Sequence, residues 1–265
     1  MKRVLTIAGS DSGGGAGIQA DIKTISAIGC YAASAITAVT AQNTLGVVAV
    51  EPLSLDIIEK QIRAVLDDIG ADAVKIGMLA TPDIVELVAA LIEEYQPPFV
   101  VLDPVLVATS GDVLTEGSAA EAIVKRLMPL ATVLTPNIPE AERMTGINIH
   151  TAEDYDTVWQ QLHHDGAKAV LLKGGHLTDT VLTDTLFSTK ESFPHHYTHT
   201  RIDTPNTHGT GCTLSSALAC YLALGYPLSR AAALATDYIH EAIVAARDLH
   251  LGEGHGPVDH FFRLR

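Results

Sequence analysis

The chain is 265 residues long and sets 17 Lys plus Arg against 31 Asp plus Glu, a formal charge of −14. Its cations are scattered singly or in pairs, whereas a binder of phosphate backbones needs a clustered cationic face, so nucleic acid is excluded as a partner and any phosphate must be gripped locally. At 47% hydrophobic, 18% charged and 5% aromatic, the composition is globular, with a core resting on Ala, Val, Leu and Ile.

From the N-terminus, Lys2-Arg3 precedes only Val4 to Ala8 before Gly9, Ser10 and Asp11, an apolar stretch too short for a signal peptide. Strands are predicted over Arg3 to Ala8, Tyr31 to Val39, Ala73 to Ile76, Phe99 to Leu102, Thr132 to Leu134 and Ala169 to Leu172. The uncharged window Thr24 to Val50 contains Gln42, Asn43, glycines and threonines, so it reads as buried strand plus loop and not as a membrane span. Helices are predicted over Leu55 to Ile69 behind a Ser54 cap, after Thr81-Pro82-Asp83, and over Glu116 to Leu127, Ala152 to His164, Cys212 to Leu224 and Leu228 to Leu249. Thr183 to Ser188 and Tyr197 to Ile202 read as a polar hairpin inserted late. Apolar runs alternating with amphipathic segments imply βαβ units, a largely parallel sheet and helices on both faces. With no linker or repeat, residues 1–265 are expected to form one α/β domain.

In an open α/β sheet the ligand lies beyond the carboxyl ends of the strands. Six predicted strand ends carry Gly9 to Gly17, Gln42-Asn43, Gly77-Met78, Asp103-Pro104, Asn137 with Glu140, and Lys173-Gly174-Gly175-His176. Gly15, Gly17 and Ala20 satisfy a loose dinucleotide spacing, but no acid follows between Ile22 and Val50 to hold a ribose. No P-loop spacing occurs. Asp21, one turn into the first helix, reads either as a group aimed at a polar ligand or as a capping or surface acid.

The segment Asn206 to Thr213 is more specific. Gly209, Thr210 and Gly211 crowd backbone N–H groups at a helix N-terminus, a seat for an anion or developing charge, and Cys212 stands where that field is expected to lower a thiol pKa and make it a proton acceptor. Cys30 and Cys220 read as inert buried thiols, and three cysteines without a CxxC pair fit a reducing cytoplasm. Asn137 and Glu140, three apart, read either as a helix start or, with Asp103, as holders of waters around magnesium, which would supply the positive charge this acidic chain lacks. Lys173 after an apolar strand is a candidate phosphate contact. His195, His196 and His199 lie beside Pro194 without a further ligand in sequence, so no zinc site is expected.

Taken together, Thr6 to Asp11, Ala16 to Asp21, Lys75 to Leu79, Asp103 to Val105, Thr135 to Asn137 with Glu140, Lys173 to His176, Asn206 to Cys212 and Gly256 to Val258 resemble the ribokinase-like superfamily. The resemblance is specifically to bacterial hydroxymethylpyrimidine/phosphomethylpyrimidine kinases of thiamine biosynthesis, and it spans nearly the whole chain. It implies a three-layer ribokinase-like fold, Mg-ATP, and two successive phosphorylations of an aminopyrimidine. Cys212 takes the base position, with Gly209 and Gly211 in the anion hole. Gly9, Asp21, Gln42 and Met78 hold the pyrimidine, Asn137, Lys173 and Thr210 the ATP, and Asp103 and Glu140 the magnesium. A cytoplasmic homodimer is the family expectation. The first loop departs from the family pattern at Ser12 and Gly13, where proline and serine are usual, which implies a looser loop; Thr109 replaces a lysine. Pyridoxal kinase is the nearest rival reading, and a nucleotide-binding regulator without turnover is a rival of another class.

Overall fold

The computed structural model describes residues 1–106, 117–175 and 180–264. Thr109, Glu116 and His176 lie outside them. The first apolar run forms β1 (Arg3–Asp11) and passes through the loop 12–16 into α1 (Gly17–Ile28). β2 (Tyr31–Asn43) returns in parallel beside β1, pairing Leu5 with Ala33 and Ile7 with Ala35. Then come β3 (Gly46–Pro52), α2 (Leu55–Ala64) with a π-helical turn to Ile69, β4 (Ala73–Ile76), α3 (Pro82–Tyr95), β5 (Val100–Leu102) and α4 (Gly117–Ala122). The second half runs β6 (Val133–Leu134), α5 (Ile138–Thr145), α6 (Tyr155–His164), β7 (Ala169–Leu172), β8 (Val181–Ser188), β9 (His195–Thr200), α7 (Thr210–Ala223) and α8 (Leu228–Ala246). One sheet results, in the order β3-β2-β1-β4-β5-β6-β7-β8-β9. β2, β1, β4, β5, β6 and β7 are mutually parallel, while β3 and the β8–β9 hairpin are antiparallel edges.

The period of two along each strand sorts side chains onto two faces. Leu5, Ile7, Val74, Ile76, Leu102 and Leu134 point into a core under α2, α3 and α6. Their chain neighbours Val4, Ala73, Val101 and Val133 point the other way, onto α7 and α8. Both faces are covered, which is why these strands read as unbroken apolar runs. The three-layer α/β expectation therefore stands.

Three local readings are corrected. β2 continues to Asn43, and Gly46–Pro52, expected as loop, is an antiparallel edge strand; its residues are half-buried or exposed, so it lacks the apolar run that marks the inner strands. Of the short helix α5 only the start at Asn137 and Glu140 was marked, because it spans only 8 residues. Ser54 occupies a cap position without a side-chain hydrogen bond, whereas the Thr81 hydroxyl accepts from the Ile84 N–H as expected.

Candidate active site

Parallel strands deliver their C-terminal residues to one rim, and there the structure opens a cavity of about 770 Å³. Gly9, Gln42, Met78, Asp103, Asn137, Glu140, Lys173, Gly209, Thr210, Gly211 and Cys212 all line it. At one end Gly9 and Met78 line it side by side, and a Cβ on Gly9 would make a tight contact of 3.3 Å with the Met78 sulfur. The Thr40 hydroxyl donates to the Ser10 carbonyl at 2.9 Å and lies 3.2 Å from Gln42 Oε1.

At the centre, Gly209 takes a left-handed conformation (φ 79°) and starts α7, a helix of 14 residues. A Cβ there would overlap the Gly15 carbonyl, so only glycine fits. The N–H groups of the first turn of α7 and its partial positive charge face the cavity. Lys173 Nζ stands beside this turn, 3.2 Å from where a Gly211 Cβ would be. It donates to Asp103 Oδ1 at 3.2 Å and lies 3.8 Å from Glu140 Oε2. Burial opposes the charge on each, but the two acids outweigh it and raise Lys173, and Lys173 with Lys75 holds Asp103 below the usual carboxylate range. Thr135 and Ser215 also donate to Asp103, each at 3.1 Å.

Asn137 and Glu140 bear out the helix start that their spacing allowed. They form a capping box at the start of α5: the Glu140 N–H donates to Asn137 Oδ1 at 2.9 Å and the Asn137 N–H to Glu140 Oε2 at 2.8 Å. The same box aims the Glu140 carboxyl at Lys173, where burial pushes it up to about 7.

Two expectations are overturned. Asp21 does not line the cavity. It is fully buried beneath it, accepting from Lys75 Nζ at 2.9 Å, Thr6 Oγ1 at 2.6 Å and Ser216 Oγ at 2.8 Å. Thr6 and Lys75 are paired neighbours on β1 and β4, facing α1 and α7, so these four residues make a polar island inside an apolar layer. Nor does the helix field lower the Cys212 thiol. Burial dominates and pushes it up to about 11, opposed by the Lys75 ammonium and the Gly17 N–H.

The first loop is not loose. Asp11 accepts from the N–H groups of Gly13, Gly15 and Ala16 at 2.8 to 2.9 Å. Ser12 Oγ, where the family pattern has proline, donates to the Gln42 carbonyl at 2.7 Å and accepts its N–H at 2.8 Å. Sequence reasoning missed Asp184. It lines the cavity, accepts from the Gly174 N–H at 2.9 Å and is pushed by burial up to about 6, yet inside a polar hairpin nothing marks it. Among the described residues no group of three or more His, Cys, Asp or Glu is placed to hold a metal ion.

The sequence matches the phosphomethylpyrimidine kinase family over residues 11–259. It is 50% identical to the hydroxymethylpyrimidine/phosphomethylpyrimidine kinase of Rhizobium meliloti, across 98% of this chain and 97% of that protein. It is 49% identical to the thiamine biosynthesis bifunctional protein ThiED of Geobacter sulfurreducens, across 97% of this chain, and spans about half (52%) of that longer protein. The fold matches an ADP complex of Bacillus subtilis pyridoxal kinase with a TM-score of 0.91 at 38% identity, across the whole of both chains.

Proposed function

The chain belongs to the phosphomethylpyrimidine kinase family, and from that premise we propose that it transfers the γ-phosphate of ATP to the hydroxymethyl group of 4-amino-5-hydroxymethyl-2-methylpyrimidine, and then to the resulting monophosphate, in thiamine biosynthesis. The carrying observation is that Gly209 to Gly211, Lys173, Asp103 and Cys212, from distant parts of the chain, share one cavity with Gly9, Gln42 and Met78. Gln42 reads the amine and ring nitrogen of the pyrimidine, a donor and acceptor edge that suits an amide. The acceptor oxygen bonds to the γ-phosphorus as the bond to the ADP oxygen breaks. Negative charge on the transferred phosphoryl falls against the N–H groups of Thr210, Gly211 and Cys212 and the Lys173 ammonium. The hydroxyl proton passes late to the Cys212 sulfur in its thiolate form: burial pushes the thiol up to about 11, and the Lys75 ammonium and the Gly17 N–H favour the ionised form that can take the proton. Because the transition state is loose, alignment and charge stabilisation matter more than a strong base.

Magnesium belongs to the same proposal. The buried Asp103 and Glu140 carboxyls flank the anion hole, and a two-carboxylate wall completed by waters and phosphates is the donor set this ion takes. When bound, the ion would neutralise charge on the β- and γ-phosphates. Asn137 holds the nucleotide end. One domain, a homodimer and a cytoplasmic setting complete the reading; the free state of Cys30, Cys212 and Cys220 supports the last. Among the described residues no helix is long and apolar enough to cross a membrane.

The fold match to a pyridoxal kinase keeps pyridoxal as a second acceptor. A panel of hydroxymethylpyrimidine, its phosphate, pyridoxal and pyridoxamine with Mg-ATP separates the readings: the first two should give the highest kcat/KM, and a clear preference for pyridoxal would overturn the assignment. Cys212→Ala should lower kcat by roughly 100-fold or more, with Cys212→Asp recovering part of the loss. Alanine at near-full turnover would remove Cys212 from the mechanism.

A further inference from the structure

Two glycine-rich turns almost 200 residues apart in the chain lock together above the polar island. Asp11 closes β1 and is buried; besides the three loop N–H groups, its carboxylate meets His208 Nε2 at 2.9 Å. Burial opposes its charge, but the His208 bond and the backbone donors outweigh it and hold Asp11 below the usual carboxylate range. An ionised carboxylate only accepts, so Nε2 carries the proton of this bond. His208, also buried, is held from behind by its own N–H to the Gly256 carbonyl at 3.0 Å. The two turns interlock without room for side chains. A Cβ on Gly15 would lie 2.4 Å from the His208 ring, and one on Gly209 would overlap the Gly15 carbonyl. Immediately after His208 the chain enters the anion hole.

We propose that Asp11 and His208 are positioning residues that latch the acceptor-side loop to the anion hole, fixing the distance between the attacking hydroxyl and the N–H groups that receive the phosphoryl charge. This deepens the phosphotransferase reading and rests on it. Neither residue transfers a proton; each acts through the turn it holds. Reactant misplacement of about 1 Å costs roughly 100-fold in rate, so a latch spanning both turns acts on kcat rather than on ground-state binding.

The test compares wild type, Asp11→Asn, His208→Ala, their double variant, and His208→Gln, whose amide nitrogen can take the place of Nε2, with His208→Asn as the shorter control. Expected are losses in kcat of roughly 100-fold for Asp11→Asn and His208→Ala. The double variant should be no worse than the weaker single, ADP affinity should change less than about threefold, and His208→Gln but not His208→Asn should recover most of the rate. Multiplicative losses, a glutamine as poor as alanine, or a loss confined to KM would overturn the latch. Amide hydrogen exchange reads it without any acceptor: residues 13–17 and 209–213 should lose protection together in His208→Ala and regain it in His208→Gln, and unchanged exchange would equally overturn it. An active latch by exchange in a wild type inactive on every acceptor would sink the functional reading alone. If Asp11→Asn does not fold, the alanine and glutamine variants of His208 carry the same test.

Discussion

Lys75 and Asp21 illustrate how a single buried pair can look like a ligand site from its motif. Both side chains have no exposure, and burial works against the Lys75 charge until Asp21, Cys212 and Asp103 outweigh it and raise its pKa. Removing one partner leaves an unpaired charge in an apolar layer, whereas replacing both leaves neutral groups. Lys75→Met should therefore destabilise the protein by about 3–5 kcal/mol, and Lys75→Met with Asp21→Asn by distinctly less, as read from urea unfolding midpoints. Equal losses would mean that the pair contributes shape and not charge balance. Asp21 could not be placed from sequence because its partner is 54 positions away and nothing local distinguishes a carboxyl aimed at a ligand from one aimed at a buried ammonium.

Helix α7 connects the chemistry to the core. Its N-terminal turn lines the cavity as the proposed anion hole, while Thr213 to Ala223 are buried throughout, so it is covered on all sides and shows no amphipathic stripe. Small residues suit this place between the sheet, α1 and α8. Ala219→Leu should cost about 1–3 kcal/mol by overpacking, measured by thermal unfolding. An unchanged midpoint would reveal slack in this layer. The helix was legible from its glycine-rich entry. Edge strand β3 was not, since it is half-exposed along its length, and of helix α5 only the start was, since it is too short to show a period.

For the whole molecule, two apolar cores on either side of one sheet hold the rim proposed to bind the nucleotide, a seat that exists in the folded state alone. Binding should then stabilise by mass action. With Mg-ADP at about 100 times its Kd the gain is about 2.7 kcal/mol, which corresponds to a rise in Tm of roughly 5–10 °C for a chain of this size. EDTA should shrink the rise if Asp103 and Glu140 hold the ion. A Tm indifferent to ADP would argue against a nucleotide seat on this rim.

The sequence by itself determined the alternation of strands and helices, the rim on which the ligand-facing residues gather, and the glycine turn before Cys212, because each is written in local period, steric freedom and chain order. Only the tertiary structure decided that Asp21 is sealed against Lys75, that the Cys212 thiol is raised instead of lowered, and that Asp11 reaches His208 across 197 positions. Those outcomes depend on burial and on partners brought together by folding, and desolvation of a charge has no signature in the residues beside it.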